Sequence, residues 1–221
     1  ASAQVVLTVA AYPAVDEIIK SALVEWQKKH PQVHVKVVSR EYTDHHTAMT
    51  TALAASSGLP DVMTIEYGYL GRFSQSGGLE NLDLDPYNAQ AYAQRFAAFA
   101  WRQETAGKWR SARLPEGVAT SWGGTFYAIP KKAGNKTLAW DLVQHLTLNK
   151  VQQQSAFQKF NAFPALIEAQ SGPFFDQPVE FLGGQKARAD WRDTVSKIVP
   201  TRVFRNDPIA EEIVNAELDL V

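Results

Sequence analysis

The chain has 221 residues, a formal net charge of −1 at pH 7, 45% hydrophobic residues and no cysteine. This size and balance predict a globular protein with a sizeable core, and the near-neutral charge predicts neither a nucleic-acid nor an anionic membrane partner. The lack of cysteine excludes disulfides, thiolate metal sites and cysteine nucleophiles.

The first third of the chain alternates between strand and helix patterns. Three strands are predicted from β-rich or alternating apolar runs, at 4–10, 33–37 and 60–65. Three helices are predicted between and after them, at 16–29, 43–57 (before a glycine stop at Gly58) and 70–77. This βαβ alternation predicts an α/β fold with a mostly parallel sheet flanked by helices.

The rest of the chain continues the mixture of helix and strand. A helix is predicted at 85–101, and two strands at 109–114 and 125–129. Three more helices follow, at 136–146, at 151–160 and from Asp207, which is the predicted N-cap before Pro208. The chain opens on a small-x-small triplet at 1–3, which weakly favours export.

Aromatic and acidic residues follow the predicted strands. Tyr12 comes after the first strand, Glu41 after the second, and Glu66, Tyr67 and Tyr69 after the third. Ligands of parallel α/β sheets bind beyond the carboxyl ends of the strands, so we expect a ligand at this edge. Glu41 and Glu66 could also face one cleft as the carboxylate pair of a glycoside hydrolase, which is an alternative.

The segment 121–131 has the composition of a sugar-binding loop. Gly123 and Gly124 allow a backbone to approach a ligand or strand closely, and the indole of Trp122 can stack on the apolar face of a sugar ring. The alternative is a glycine-rich turn with a tryptophan in the core.

Motifs for cofactors and metals are missing from the sequence. It contains no G-x-S-x-G, Walker A or G-x-G-x-x-G motif, so no cofactor is predicted. His45 and His46 are adjacent and would point about 100° apart on a helix, so we expect helix-start or surface histidines and no metal site. A ferric-ion or anion receptor using Tyr67 and Tyr69 is a further alternative.

Five segments resemble, in the correct order, the bacterial extracellular solute-binding proteins of sugar ABC importers, the group that includes maltose-binding protein. They are LAASSGLPDV (53–62), FSQSGGLENL (73–82), GGTFYAIPK with AWDLV (123–131 and 139–143), NAFPA (161–165) and FLGGQ (181–185). The resemblance covers nearly the whole chain.

The resemblance implies a non-catalytic periplasmic receptor with two α/β lobes that close on a mono- or oligosaccharide. The closed form would dock on the membrane subunits of the importer. Matching positions put Tyr12, the loop 66–69, Trp122 with Gly123 and Gly124, and Phe163 at the cleft. Glu41 is an additional polar contact.

The sequence departs from the family at residues 102–108. These few residues stand where family members insert a second lobe, so we expect one lobe built from segments 1–101 and 109–221. A single lobe exposes its cleft aromatics, and exposed apolar patches favour self-association. We therefore expect a weak or domain-swapped homodimer.

Overall fold

A four-stranded sheet is the centre of the fold. The computed structural model describes residues 5–97, 118–120, 123–179, 182, 184–200 and 202–218. The strands are β1 Val5–Ala11, β2 Val33–Ser39, β3 Val62–Glu66 and β4 Thr125–Ala128.

The sheet has the order β2-β1-β3-β4. β1 is parallel to both β2 and β3, which confirms the predicted mostly parallel sheet. β4 runs antiparallel to β3, with Glu66 opposite Thr125. The start of β4 therefore lies at the carboxyl end of β3, and this brings the glycine-rich segment to the predicted ligand edge.

Seven α-helices occur in the described residues. They are α1 Val15–Lys29, α2 Tyr42–Ala55, α3 Leu70–Ser74, α4 Lys136–Leu148, α5 Lys150–Phe160, α6 Ala187–Val195 and α7 Asp207–Leu218. α2 ends earlier than predicted because Ser56, which precedes Gly58 by two residues, is already the C-cap, in the left-handed conformation with φ 52°. α5 begins separately from α4 because the side chain of Asn149 accepts a hydrogen bond from the Gln152 amide at 3.1 Å.

The prediction of a helix over 85–101 was wrong for residues 85–97, the part of this range that the structure describes. A 3₁₀ helix at Ala89–Arg95 is formed instead, after Asn88 in the left-handed conformation with φ 51°. A left-handed residue interrupts an α-helix, and Pro86 further restricts the start of this stretch. The predicted strand at 109–114 and the junction at 102–108 lie outside the described residues.

The core lies on both faces of the sheet because side chains alternate along each strand. Leu7 and Val9 pack with apolar residues of α1 and α4, such as Trp26 and Leu142. On the opposite face, Met63 and Ile65 pack with residues of α2 and α3, namely Met49 and Phe73. None of the helices in the described ranges is both long and apolar enough to cross a bilayer.

Asp61 ties the second segment of the chain to the first. Its side chain is buried, one carboxylate oxygen accepts a hydrogen bond from the Thr8 amide at 2.8 Å, and the other accepts from the Asn135 amide at 2.9 Å. Thr8 belongs to β1, and Asn135 immediately precedes α4. The Pro-Asp-Val segment therefore fixes α4 beside the sheet.

Candidate functional site

The carboxyl ends of β1 and β3 meet the start of β4 at one edge of the sheet. The Tyr12 hydroxyl lies 2.6 Å from Oγ1 of Thr125, and the Tyr67 amide donates to the Gly124 carbonyl at 2.9 Å. These bonds join residues more than 50 positions apart. Tyr12 and Tyr67, which were predicted at this edge from the strand ends, therefore lie beside Gly124, which the family resemblance put at the cleft.

Gly123 and Gly124 are required by the shape of this edge. Their φ values of 76° and 155° lie in the region that favours glycine. A Cβ on Gly123 would also lie 3.0 Å from Oε1 of Glu66. A side chain at position 123 would therefore displace either the loop or the Glu66 carboxylate.

A cleft of about 1040 Å³ begins at this edge and continues between β4 and the helices. Its lining includes four of the predicted site residues, namely Tyr67, Gly123, Gly124 and Phe163. Further aromatic lining comes from Tyr92, Phe96, Phe126, Tyr127, Trp140, Phe157, Phe160 and Trp191. This volume is at the upper end of the range for small-molecule sites.

The cleft is almost free of charge. Among the described residues, its charged lining consists of Glu80 and Asp83, and no Lys, Arg or His contributes to it. The Glu80 carboxylate is paired with the Lys136 ammonium at 2.8 Å. Neutral polar groups are supplied by Asn81, Thr125, Gln153 and Asn161. The cleft therefore combines aromatic surface with uncharged hydrogen-bonding groups.

Tyr12 and Tyr69 lie in the interior beside this edge. Their exposed fractions are 7% and 8%. Tyr69 stacks on His46 with 4.0 Å between ring centroids, and Tyr12 packs edge-on against Tyr42 at 5.6 Å. Tyr67 is 5% exposed, so all three tyrosines offer a ligand little area, and the half-buried Phe163 of the cleft lining offers more.

His45 and His46 lie near the start of α2 as expected, but a surface location for them was wrong, because both side chains are buried. His46 donates through Nδ1 to the Tyr42 carbonyl at 2.8 Å, and its Nε2 accepts from the Glu66 amide at 3.0 Å. His45 Nε2 lies 2.7 Å from the Thr64 carbonyl oxygen. The histidines thus fasten α2 to β3. Within the described part of the chain, no three His, Cys, Asp or Glu residues are grouped to hold a metal ion.

Glu66 is held by groups that the sequence did not point to. The Tyr42 hydroxyl donates to its Oε2 at 2.8 Å, and the Gly68 amide donates to the same oxygen at 2.7 Å. Burial nevertheless raises the pKa of the Glu66 carboxyl. Tyr42 could have been suspected only from its position directly after Glu41 at the start of a helix.

Two of the predicted site residues, Glu41 and Trp122, are not among the contacts described above. Glu41 is exposed at the start of α2, where its carbonyl accepts from the His45 amide at 2.8 Å. Trp122 lies outside the described residues. A ligand contact by either residue stays a prediction.

Lowering the pH is expected to destabilise the protein through His46. Burial lowers the His46 pKa from 6.5 to about 4, so the unfolded chain takes up this proton first. The stabilisation is complete above pH 6.5 and is lost as the pH falls towards 4, by about 3 kcal/mol. Glu66 acts in the opposite direction, because a raised carboxyl pKa stabilises the fold at low pH.

Urea unfolding of the wild type and His46→Gln between pH 7 and pH 4 isolates this effect. The Glu66 contribution cancels between the two proteins, and the lost ring stacking gives the same offset at every pH. Parallel pH curves for the two proteins would contradict the assignment.

Part of the chain matches the sequence model of a known protein family. The model of the bacterial extracellular solute-binding protein family matches residues 8–98. This range begins within β1 and contains β2, β3 and the turn that carries Glu66 and Tyr67.

The whole described fold is similar to solved solute-binding proteins. An extracellular solute-binding protein of family 1 is 13% identical, with a TM-score of 0.75 over 95% of this chain and 92% of that one. The sugar-binding protein MalE from Xanthomonas citri is 14% identical, with a TM-score of 0.72 over 94% of this chain and 90% of that one. An ABC substrate-binding protein from Listeria monocytogenes, solved with cycloalternan, is 11% identical, with a TM-score of 0.63 over 97% and 92%.

At 11–14% sequence identity, the similarity to these solved structures establishes the fold alone. The match to the family model is the evidence from sequence. Residues 8–98 therefore carry the pattern of the bacterial extracellular solute-binding proteins, and the chain has the type II periplasmic binding-protein fold.

Proposed function

We propose that the chain binds a neutral mono- or oligosaccharide as a non-catalytic, periplasmic receptor of an ABC importer. The observation that carries this proposal is the cleft, which gathers Tyr67, Gly123, Gly124 and Phe163 and has no Lys, Arg or His in its described lining. The one-lobe organisation and the homodimer remain predictions.

The chemistry of the cleft favours a sugar over an anion. A pyranose has an apolar face that packs on aromatic rings and a polar perimeter that needs uncharged donors and acceptors. Phe163 and Trp140 supply rings, while Asn81 and Asn161 supply amide groups. An anion taken out of water would need a cationic partner or several converging amides, since burying an unpaired charge is costly.

The fold neighbours support the same class of ligand. Solved proteins of this fold include one from B. animalis subsp. lactis in complex with β-1,6-galactobiose. Another, from Bdellovibrio bacteriovorus, is bound to maltotriose. These ligands belong to the neighbours, and they suggest which saccharides to test first.

Titration calorimetry with maltose, maltotriose and β-1,6-galactobiose tests the proposal. Phe163→Leu keeps an apolar side chain but loses the aromatic ring, so it is expected to weaken saccharide binding roughly two- to tenfold, which corresponds to about 0.5–1.5 kcal/mol. Val24→Ala, at a position 61% exposed on α1, is the control and should bind like the wild type. Equal binding by the wild type and Phe163→Leu, or failure of the wild type and of the displaced variants described in the next section to bind any mono- or oligosaccharide, would contradict the proposal.

A further inference from the structure

The C-terminal segment of the described chain lies on the turn that follows β3. We call residues 202–218, which contain α7, the cover segment. A Cβ on Gly71 would lie 2.5 Å from the carbonyl oxygen of Phe204 and 3.0 Å from its nitrogen. The backbone at Phe204 therefore rests directly on the α-carbon of Gly71, and only glycine permits this contact.

A second contact is made at Gly68. A Cβ there would lie 3.3 Å from Oε2 of Glu211 and 3.3 Å from Oε2 of Glu66. The cover segment thus brings a second carboxylate to the polar group at the ligand edge. Burial raises the pKa of Glu66 most, and the charge of Glu211 raises it further. Val203 reaches the cleft itself and forms part of its lining.

The cover segment is held weakly. Pro208 is the buried residue of α7. Five large apolar side chains of the segment remain 47–66% exposed, namely Phe204, Ile209, Ile213, Val214 and Leu218. The bend before α7 is fixed by the Asp207 carboxylate, which accepts from the Phe204 amide at 2.7 Å. Elements with few buried apolar contacts open at low free-energy cost.

We propose that the cover segment competes with the ligand for the carboxyl-end edge of the sheet. The segment must leave Gly68 and Gly71 before a saccharide can reach Glu66, and this inference rests on the proposed sugar-binding function. The measured dissociation constant is then the intrinsic constant divided by the fraction of molecules in which the segment is displaced. Changes that displace the segment must tighten binding, and changes that hold it must weaken binding.

Three variants of the full chain move this equilibrium in known directions. Gly71→Ala places a methyl group against the Phe204 backbone and displaces the segment. Asp207→Ala loosens the segment from its own side, without touching the sheet. Glu211→Gln removes the repulsion from Glu66 and strengthens the contact. Gly134→Ala is the matched control, because a Cβ there meets only Oδ1 of Asp61, at 4.0 Å.

Hydrogen exchange of residues 204–218 and titration calorimetry with maltotriose and β-1,6-galactobiose give independent readouts. Gly71→Ala and Asp207→Ala are expected to speed the exchange and tighten saccharide binding about threefold or more, while Glu211→Gln weakens binding and Gly134→Ala changes neither. Circular dichroism spectra of each variant serve to check that it is folded.

The outcomes separate this inference from the proposed function. Faster exchange with unchanged saccharide affinity in both displaced variants would overturn the competition and leave sugar binding intact. Unchanged exchange in both would overturn the contact itself. Binding by the displaced variants but not by the wild type would support competition strongly. Absence of binding by every variant would contradict the sugar proposal, and the cover segment would then have no ligand to compete with.

Discussion

Asp61→Asn is expected to lower the free energy of unfolding by about 3 kcal/mol, the largest stability effect of a substitution that we predict at pH 7. Both carboxylate oxygens of Asp61 accept backbone hydrogen bonds, from Thr8 and from Asn135. An asparagine amide keeps one acceptor and turns its NH₂ group towards the other backbone N–H. One buried donor is thereby left unpaired, and a charge-assisted bond becomes a neutral one.

Urea denaturation at pH 7 measures this loss. Asp83→Asn is the control, because the Asp83 side chain is exposed and the substitution should change stability by less than about 0.5 kcal/mol. We expect the loss in Asp61→Asn to appear as an earlier midpoint with an unchanged slope. A difference of less than about 1 kcal/mol between the two variants would show that Asp61 does not hold α4 to β1.

Gly123→Ala is expected to weaken saccharide binding by about tenfold, or roughly 1.4 kcal/mol, the largest effect on affinity that we predict. Gly123 lines the cleft. A Cβ added to it would lie 3.0 Å from Oε1 of Glu66. Relief of this contact must move the Glu66 carboxylate or the loop, and either movement changes the ligand edge. The left-handed φ of 76° adds about 1 kcal/mol of strain to the folded state.

Gly77→Ala separates the strain from the contact. Gly77 has a φ of 70°, almost the same as that of Gly123, but a Cβ there would meet nothing within 4 Å. Both variants should lose about 1 kcal/mol of stability, while only Gly123→Ala should lose affinity in the calorimetric titration. Equal affinity of the two variants would show that the Gly123 loop is not part of the binding site.

The burial of His45 and His46 could not be predicted from the sequence. The stretch Thr43–His46 mixes polar residues without a clear apolar face, so its pattern did not indicate which side of α2 packs on the sheet. In the structure His45 and His46 face inwards, because the main-chain groups of Thr64 and Glu66 provide them with partners. Burial of a polar ring depends on such partners, and these come from residues about 20 positions away.

The sequence by itself determined the alternation of strands and helices, and with it the edge of the sheet at which Tyr12 and Tyr67 follow their strands. Strand and helix periods are local properties, and parallel connections leave little freedom in where the strand ends lie. Only the tertiary structure decided that the antiparallel β4 brings Gly123 and Gly124 to this edge, and that Tyr12, Tyr67 and Tyr69 are buried. It also decided that residues 202–218 rest on Gly68 and Gly71. These features depend on packing between segments far apart in the chain, and a local pattern carries no information about which distant surface will fill the space beside a glycine.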